Sequence, residues 1–129
     1  MLKISDLHTY YGVIHALKGI DMEVGKGEIV SLIGSNGAGK TTLLNSVMGV
    51  CKSSKGKITF KDKDITNIST YKLSKLGIGI SPEGREVFPE LSVEENLRLG
   101  AYTVSSKNDI STGYERVYKL FPRLKERYK

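Results

Sequence analysis

The sequence predicts an α/β fold, and three observations carry that prediction. Apolar and polar residues alternate in the N-terminal stretches, Ile29 to Ile33 forms a short apolar run with little alternation, and a glycine-rich stretch then leads into residues at helical spacing. A period of two, a both-faces-buried run and a period of 3.6 in succession describe strands followed by a strand-loop-helix unit.

Met1 to Leu7, with Leu2, Ile4 and Leu7, and Ala16 to Val24, with Leu17, Ile20, Met22 and Val24, predict two strands of an antiparallel sheet with one solvated face. Gly25-Lys26-Gly27 is a tight turn, and Ile29 to Ile33 reads as a strand buried on both faces. Leu43, Leu44, Val47 and Met48 give Gly39 to Val50 helical spacing, with Gly49 as its stop. Lys57 to Phe60 is a further strand. Ser69 to Leu76 reads as a short helix stopped by Gly77, and Ile78 to Ser81 as a strand entering a Pro82 to Arg85 turn. Ser92 with Glu95 three residues on is a capping box that opens a helix through Leu99. Ile110, Tyr114, Val117, Tyr118 and Phe121 carry a last helical pattern up to Pro122.

Composition narrows the function classes. Of 129 residues 39% are apolar and 26% charged, which suits a folded domain and argues against a disordered, collagen-like or disulfide-framed chain. No repeat or linker composition marks an internal boundary, so one domain is expected. The single cysteine, Cys51, has no partner for an internal disulfide, which fits a reducing compartment, and it reads as a small packed residue. No run approaches the ~20 apolar residues of a bilayer span. The net charge is +6, and the residues from Tyr114 onward hold six bases and two acids, a net of +4.

Residues Gly34 to Thr41 read Gly-Ser-Asn-Gly-Ala-Gly-Lys-Thr and satisfy G-x-x-x-x-G-K-[ST] at every defined position. Glycines let the backbone curl so that successive N–H groups face phosphate oxygens, and the helix that follows adds the positive end of its dipole. Lys40 reaches the β- and γ-phosphates, and the Thr41 hydroxyl is placed to ligate Mg²⁺. The predicted strand before and helix after this stretch are the context the motif requires.

Around that loop the residues resemble the ATP-binding subunits of ABC transporters. Asn36-Gly37-Ala38 inside the loop and Thr42 after Thr41 are the variant those ATPases favour. The phrase Tyr11-Gly12-Val13-Ile14-His15-Ala16-Leu17-Lys18-Gly19-Ile20 is similar to the family's opening strands, where an aromatic ring stacks on adenine. The resemblance gives that role to Tyr11, with Tyr10 beside it leaving the register open; such a stack is worth ~1 to 3 kcal/mol. It thereby assigns ATP to Tyr11, Gly34, Ser35, Asn36, Gly37, Ala38, Gly39, Lys40, Thr41 and Thr42.

Downstream, Ile80-Ser81-Pro82-Glu83-Gly84-Arg85 falls where the family places the loop that links the γ-phosphate region to the membrane partner. Most members carry Gln there. Glu83 stands in its place, and the resemblance makes it a second Mg²⁺ contact beside Thr41, against a reading as a solvated turn carboxylate. Arg85 pairs with Glu83 or Glu86, or is a surface charge. Pro-Glu-Gly-Arg followed by Val87-Phe88-Pro89-Glu90-Leu91-Ser92-Val93-Glu94-Glu95-Asn96-Leu97, and later Leu120-Phe121-Pro122-Arg123-Leu124, resembles the smaller ATPase subunit of branched-chain amino-acid importers.

The resemblance implies a P-loop ATPase fold in which residues 1–129 are the N-terminal part of one nucleotide-binding domain. Strands of an antiparallel subdomain fall in 1–33 and 57–60, the loop and its helix in 34–50, the linking loop in 78–86, and the start of a helical subdomain in 92–129. The family also uses an apolar strand ending in Asp-Glu, a Ser-Gly-Gly signature and a switch histidine. The sequence contains neither Asp-Glu nor Ser-Gly-Gly, and His8 and His15 fall in the first strands. A substitute built from Asp62 and Asp64 has too short an apolar lead. The expectation is a chain that binds ATP and Mg²⁺ and hydrolyses ATP poorly.

Implied partners are transmembrane permease subunits, a second ATPase subunit, identical or different, and, indirectly, an extracytoplasmic solute-binding protein. The implied place is the cytoplasmic side of the cell membrane, peripheral to it. Two other readings compete. One is a different P-loop NTPase, disfavoured by the lack of a later Asp-bearing apolar strand. The other is a basic nucleic-acid module built on the C-terminal charges, disfavoured because no RNP aromatics, zinc pattern or helix-turn-helix signature accompanies them.

Overall fold

The computed structural model describes residues 1–84 and 86–128. Arg85, and with it the pairing suggested for Glu83 and Glu86, lies outside the described residues. The chain forms two compact units, Met1–Ile80 and Ser81–Lys129.

The first unit is a mixed α/β assembly around a four-stranded antiparallel sheet. Its strands are β1 (Leu2–Tyr11), β2 (Ile14–Val24), β3 (Ser53–Phe60) and β4 (Lys63–Asp64), in the order β2-β1-β3-β4. Helices α1 (Lys40–Val47) and α2 (Thr70–Lys75) complete the unit. Alternate strand residues turn inward, so Ile4 and Leu7 of β1, Leu17 of β2 and Ile58 and Phe60 of β3 form the core with Leu43 and Val47 of α1, Ile65 and Leu73. The buried hydroxyls of Thr9 on β1 and Ser46 on α1 satisfy one another at 3.1 Å, fixing the helix across the sheet without an orphan polar group.

β1 carries register shifts on both ladders, between Ile4 and Leu7 against β2 and between Ser5 and His8 against β3. Asp6 sits in that irregularity with φ 47°, and Gly56 faces it with φ 92°, its α-carbon so close to the Asp6 carbonyl that a Cβ would collide.

Two expected strands are not formed. Ile29–Ile33 and residues 78–81 follow an extended or irregular path with no ladder partner among the described residues. A strand is a property of pairs, since its N–H and C=O groups need neighbours on both sides, and no described segment supplies them here. Ile29 and Ile33 are each 95% exposed, while Leu32 packs against the core. The expected strand buried on both faces is therefore not what the run forms: of its isoleucine, valine and leucine residues, Leu32 alone packs against the core. β1 and β3 extend further than expected, and β4 was not anticipated, because its two residues carry no periodic signal.

The second unit contains α3 (Val93–Gly100), α4 (Lys107–Leu120) and α5 (Pro122–Glu126). Ser92 and Glu95 form the expected capping box, with both reciprocal bonds present. The Ser92 N–H and hydroxyl both donate to the Glu95 carboxylate, which holds it below the usual carboxylate range. Pro122 ends α4 and opens α5, where its missing N–H costs nothing. The Glu94 N–H donates to the Tyr128 carbonyl at 3.3 Å, closing the C-terminal segment onto the start of α3. No helix of the chain is long and apolar enough to cross a membrane.

Candidate nucleotide-binding site

The predicted phosphate loop is an exposed crossing from the Ile29–Ile33 segment into α1. Gly37 and Gly39 adopt φ 83° and 90°, left-handed values that side chains resist, and the loop closes with the Ala38 N–H donating to the Ser35 carbonyl at 3.2 Å. Gly39 is the N-cap of α1, so no side chain satisfies the first-turn N–H groups, and no acid occupies that turn. Those donors and the helix dipole are therefore left for an anion. A Cβ on Gly39 would stand 3.0 Å from Leu17 Cδ2 and 3.3 Å from the Ala16 carbonyl, so packing as well as φ demands glycine.

Lys40 Nζ donates to the Gly34 and Ser35 carbonyls, each at 2.8 Å. The ammonium is thus folded into the loop, bound to neutral acceptors that phosphate oxygens would replace with charged and stronger ones. Thr41 is exposed on the first turn, its hydroxyl free to meet a cation held against phosphates, whereas Thr42 is buried.

The aromatic pair at the β1–β2 hairpin separates cleanly. Gly12 and Val13 form the turn, with Gly12 at φ 58°. Tyr10 stacks on His15, its partner across the ladder, with centroids 4.1 Å apart. Tyr11, like Thr9, points to the side of the sheet that α1 covers, and its hydroxyl lies 3.0 Å from Cys51 Sγ just beyond that helix. Tyr11, not Tyr10, therefore shares a side with the helix that the phosphate loop opens. It remains about half exposed.

Glu83 occupies an exposed turn at the start of the second unit. Asp64, set aside as a metal ligand, has a structural duty: it accepts from the Thr66 hydroxyl and N–H, which hold its carboxyl below the ordinary range, and lies 3.6 Å from Lys57 Nζ. The largest cavity described, about 670 Å³, is lined by α3 and α4 residues such as Arg98, Tyr102 and Tyr114, and contains none of the predicted nucleotide contacts. A cavity of about 160 Å³ does abut the loop at Ala38, Gly39 and Lys40, walled by Leu17, Ile20 and Leu43. It is below the ~300 to 1,000 Å³ usual for ligand pockets.

Two features had no sequence signal. Asn96 donates to the Phe88, Leu91 and Ser92 carbonyls and accepts from the Phe88 N–H, pinning the segment that precedes α3. The other is a chain of polar side chains, Lys55, Asp6, His8 and His15, assembled from three strands.

Comparison with known proteins agrees with this architecture. The family model described as ABC transporter matches residues 17–128. The high-affinity branched-chain amino acid transport ATP-binding protein BraG of Pseudomonas aeruginosa is 44% identical over 99% of this chain and 54% of its own length. The probable branched-chain amino acid transport ATP-binding protein LivF of Archaeoglobus fulgidus is 34% identical over 97% of this chain and 52% of its own. Among solved structures, the ADP conformation of MJ1267, an ATP-binding cassette of an ABC transporter, superposes with TM-score 0.78 at 30% identity, over 100% of this chain and 56% of that one. The chain thus spans about half the length of the relatives it matches.

Proposed function

The chain belongs to the ABC transporter family, and from that membership we propose that it is the nucleotide-gripping portion of the ATPase subunit of a branched-chain amino-acid importer. One observation carries the reading: a glycine-capped, acid-free helix N-terminus at α1, with Lys40 folded onto the loop carbonyls in front of it. The BraG and LivF similarities support the solute class.

In this reading the N–H groups of the loop and first turn bind the phosphates, and Lys40 leaves the Gly34 and Ser35 carbonyls to meet the β- and γ-oxygens. Tyr11 offers a ring face to adenine. Thr41 and Glu83 would supply hard oxygen donors for Mg²⁺, which would neutralise phosphate charge. Transport-coupled hydrolysis in the whole subunit draws on an Asp-Glu strand and a Ser-Gly-Gly segment that this sequence does not contain. Each electrostatic contact missing from a transition state typically costs ~10²-fold or more, so binding without efficient turnover is the expected behaviour of this chain. Permease subunits and a second ATPase subunit are the partners this reading implies.

The test is calorimetric titration of the chain with MgATP. Micromolar binding that Lys40→Ala weakens at least about ten-fold supports the reading, a loss in the range of a charge-assisted hydrogen bond. Equal affinity in the two proteins refutes it.

A further inference from the structure

On the side of the sheet opposite α1, a row of polar contacts runs behind the β1–β2 hairpin. Lys55 Nζ lies 2.7 Å from Asp6 Oδ2, Asp6 Oδ1 accepts from His8 Nε2 at 2.9 Å, and His8 Nδ1 lies 3.0 Å from His15 Nε2. His15 then lies flat on Tyr10, with ring planes 7° apart. Asp6 sits at the irregularity in β1, with φ 47°.

The two imidazoles meet edge to edge. Their centroids are 5.1 Å apart and their planes 23°, a separation close to the nitrogen–nitrogen distance plus one ring radius from each. Their lone pairs aim at one another instead of converging on a third point, a geometry for a shared proton rather than a chelated metal ion. The carboxylate of Asp6 sets the tautomers. It requires the hydrogen of neutral His8 on Nε2, which leaves Nδ1 bare, so His15 Nε2–H is the donor.

Besides the ladder itself and the Tyr11 hydroxyl contact with Cys51, this row is the side-chain support described at the hairpin tip. Val13 is 98% and Ile14 66% exposed, so core packing ends before the turn that carries Tyr11. We propose that His15 is a positioning residue for the adenine platform: its stack on Tyr10 and its hydrogen bond to His8 hold the register that presents Tyr11 on the α1 side. The proposal rests on the reading of Tyr11 as the adenine-stacking residue.

The experiment titrates the 129-residue chain with MgATP and with magnesium tripolyphosphate at one pH, using the polyphosphate to cancel effects on the phosphate loop. His15→Ala should lower MgATP affinity about five-fold, the low end of a base stack, and leave tripolyphosphate unchanged. His15→Phe, which keeps a ring on Tyr10, should restore most of the MgATP affinity. An ATP-to-tripolyphosphate affinity ratio untouched by His15→Ala but lowered by Tyr11→Ala overturns the brace and leaves the adenine reading standing. A ratio untouched by Tyr11→Ala overturns the adenine reading and the brace together. If His15→Ala loses both ligands equally it has misfolded, and His15→Phe carries the test: an ATP-to-tripolyphosphate ratio as low as that of Tyr11→Ala overturns the proposal.

Discussion

The hydroxyl of Tyr11 lies 3.0 Å from the sulfur of Cys51, joining the tip of the first hairpin to the segment that leaves α1. The two residues are 40 positions apart, and nothing in the spacing of either announces the contact. If the ring carries adenine, this bond steadies it. Tyr11→Phe and Cys51→Ala should each weaken MgATP binding by up to about five-fold, the worth of one net hydrogen bond, and the double variant should be no worse than either single one. Calorimetry on the four proteins measures that coupling; additive losses would show that the contact is incidental.

Gly39 is the backbone position on which the loop depends. Alanine there must adopt φ 90° with its Cβ 3.0 Å from Leu17 and 3.3 Å from the Ala16 carbonyl. Gly39→Ala should cost ~1 to 3 kcal/mol in urea unfolding and weaken MgATP binding beyond what the stability loss explains. Gly27→Ala, at a positive φ but with open space around it, should cost less and leave nucleotide binding alone.

Asp6 makes the first unit sensitive to acid. The hydrogen bond from Lys55, then that from His8, hold its carboxyl below the ordinary value of 3.8. A depressed folded value means the stabilisation is present above 3.8 and is lost as the pH falls through the lower value of the folded state. The urea midpoint should therefore decline as the pH is taken below about 4, and Asp6→Asn should start lower and flatten that part of the curve. A parallel decline in both proteins would remove Asp6 from the account.

Asn96 is expected to behave as a local staple. Replacing it with alanine removes four hydrogen bonds to residues 88–92 and leaves backbone groups to find water. Amide hydrogen exchange should quicken at Phe88 and through the first turn of α3, with the β-sheet unaffected. Ser92→Ala, which breaks the capping box, should cost about 1 kcal/mol and fray the same turn.

Local chemistry was legible from the chain alone. The helix opening at Gly39, the capping box at Ser92, the stop at Gly77 and the Pro122 boundary each depend on residues within a few positions of one another, and each is formed as the local sequence predicts. Ile29–Ile33 shows where that legibility ends. Its composition announces a buried strand, but pairing depends on neighbouring strands; Leu32 packs against the core, Ile29 and Ile33 are exposed, and no described strand pairs with the run.

The sequence by itself determined the family and the loop motif, because those rest on spacing along one chain and on fixed side-chain chemistry. Tertiary structure alone decided that Tyr11 rather than Tyr10 faces the α1 side, that Cys51 meets its hydroxyl, and that Asp6, His8 and His15 form a hydrogen-bonded row. These depend on strand register, in which a shift of one residue exchanges the two faces of the sheet, and register is set by partners distant in sequence.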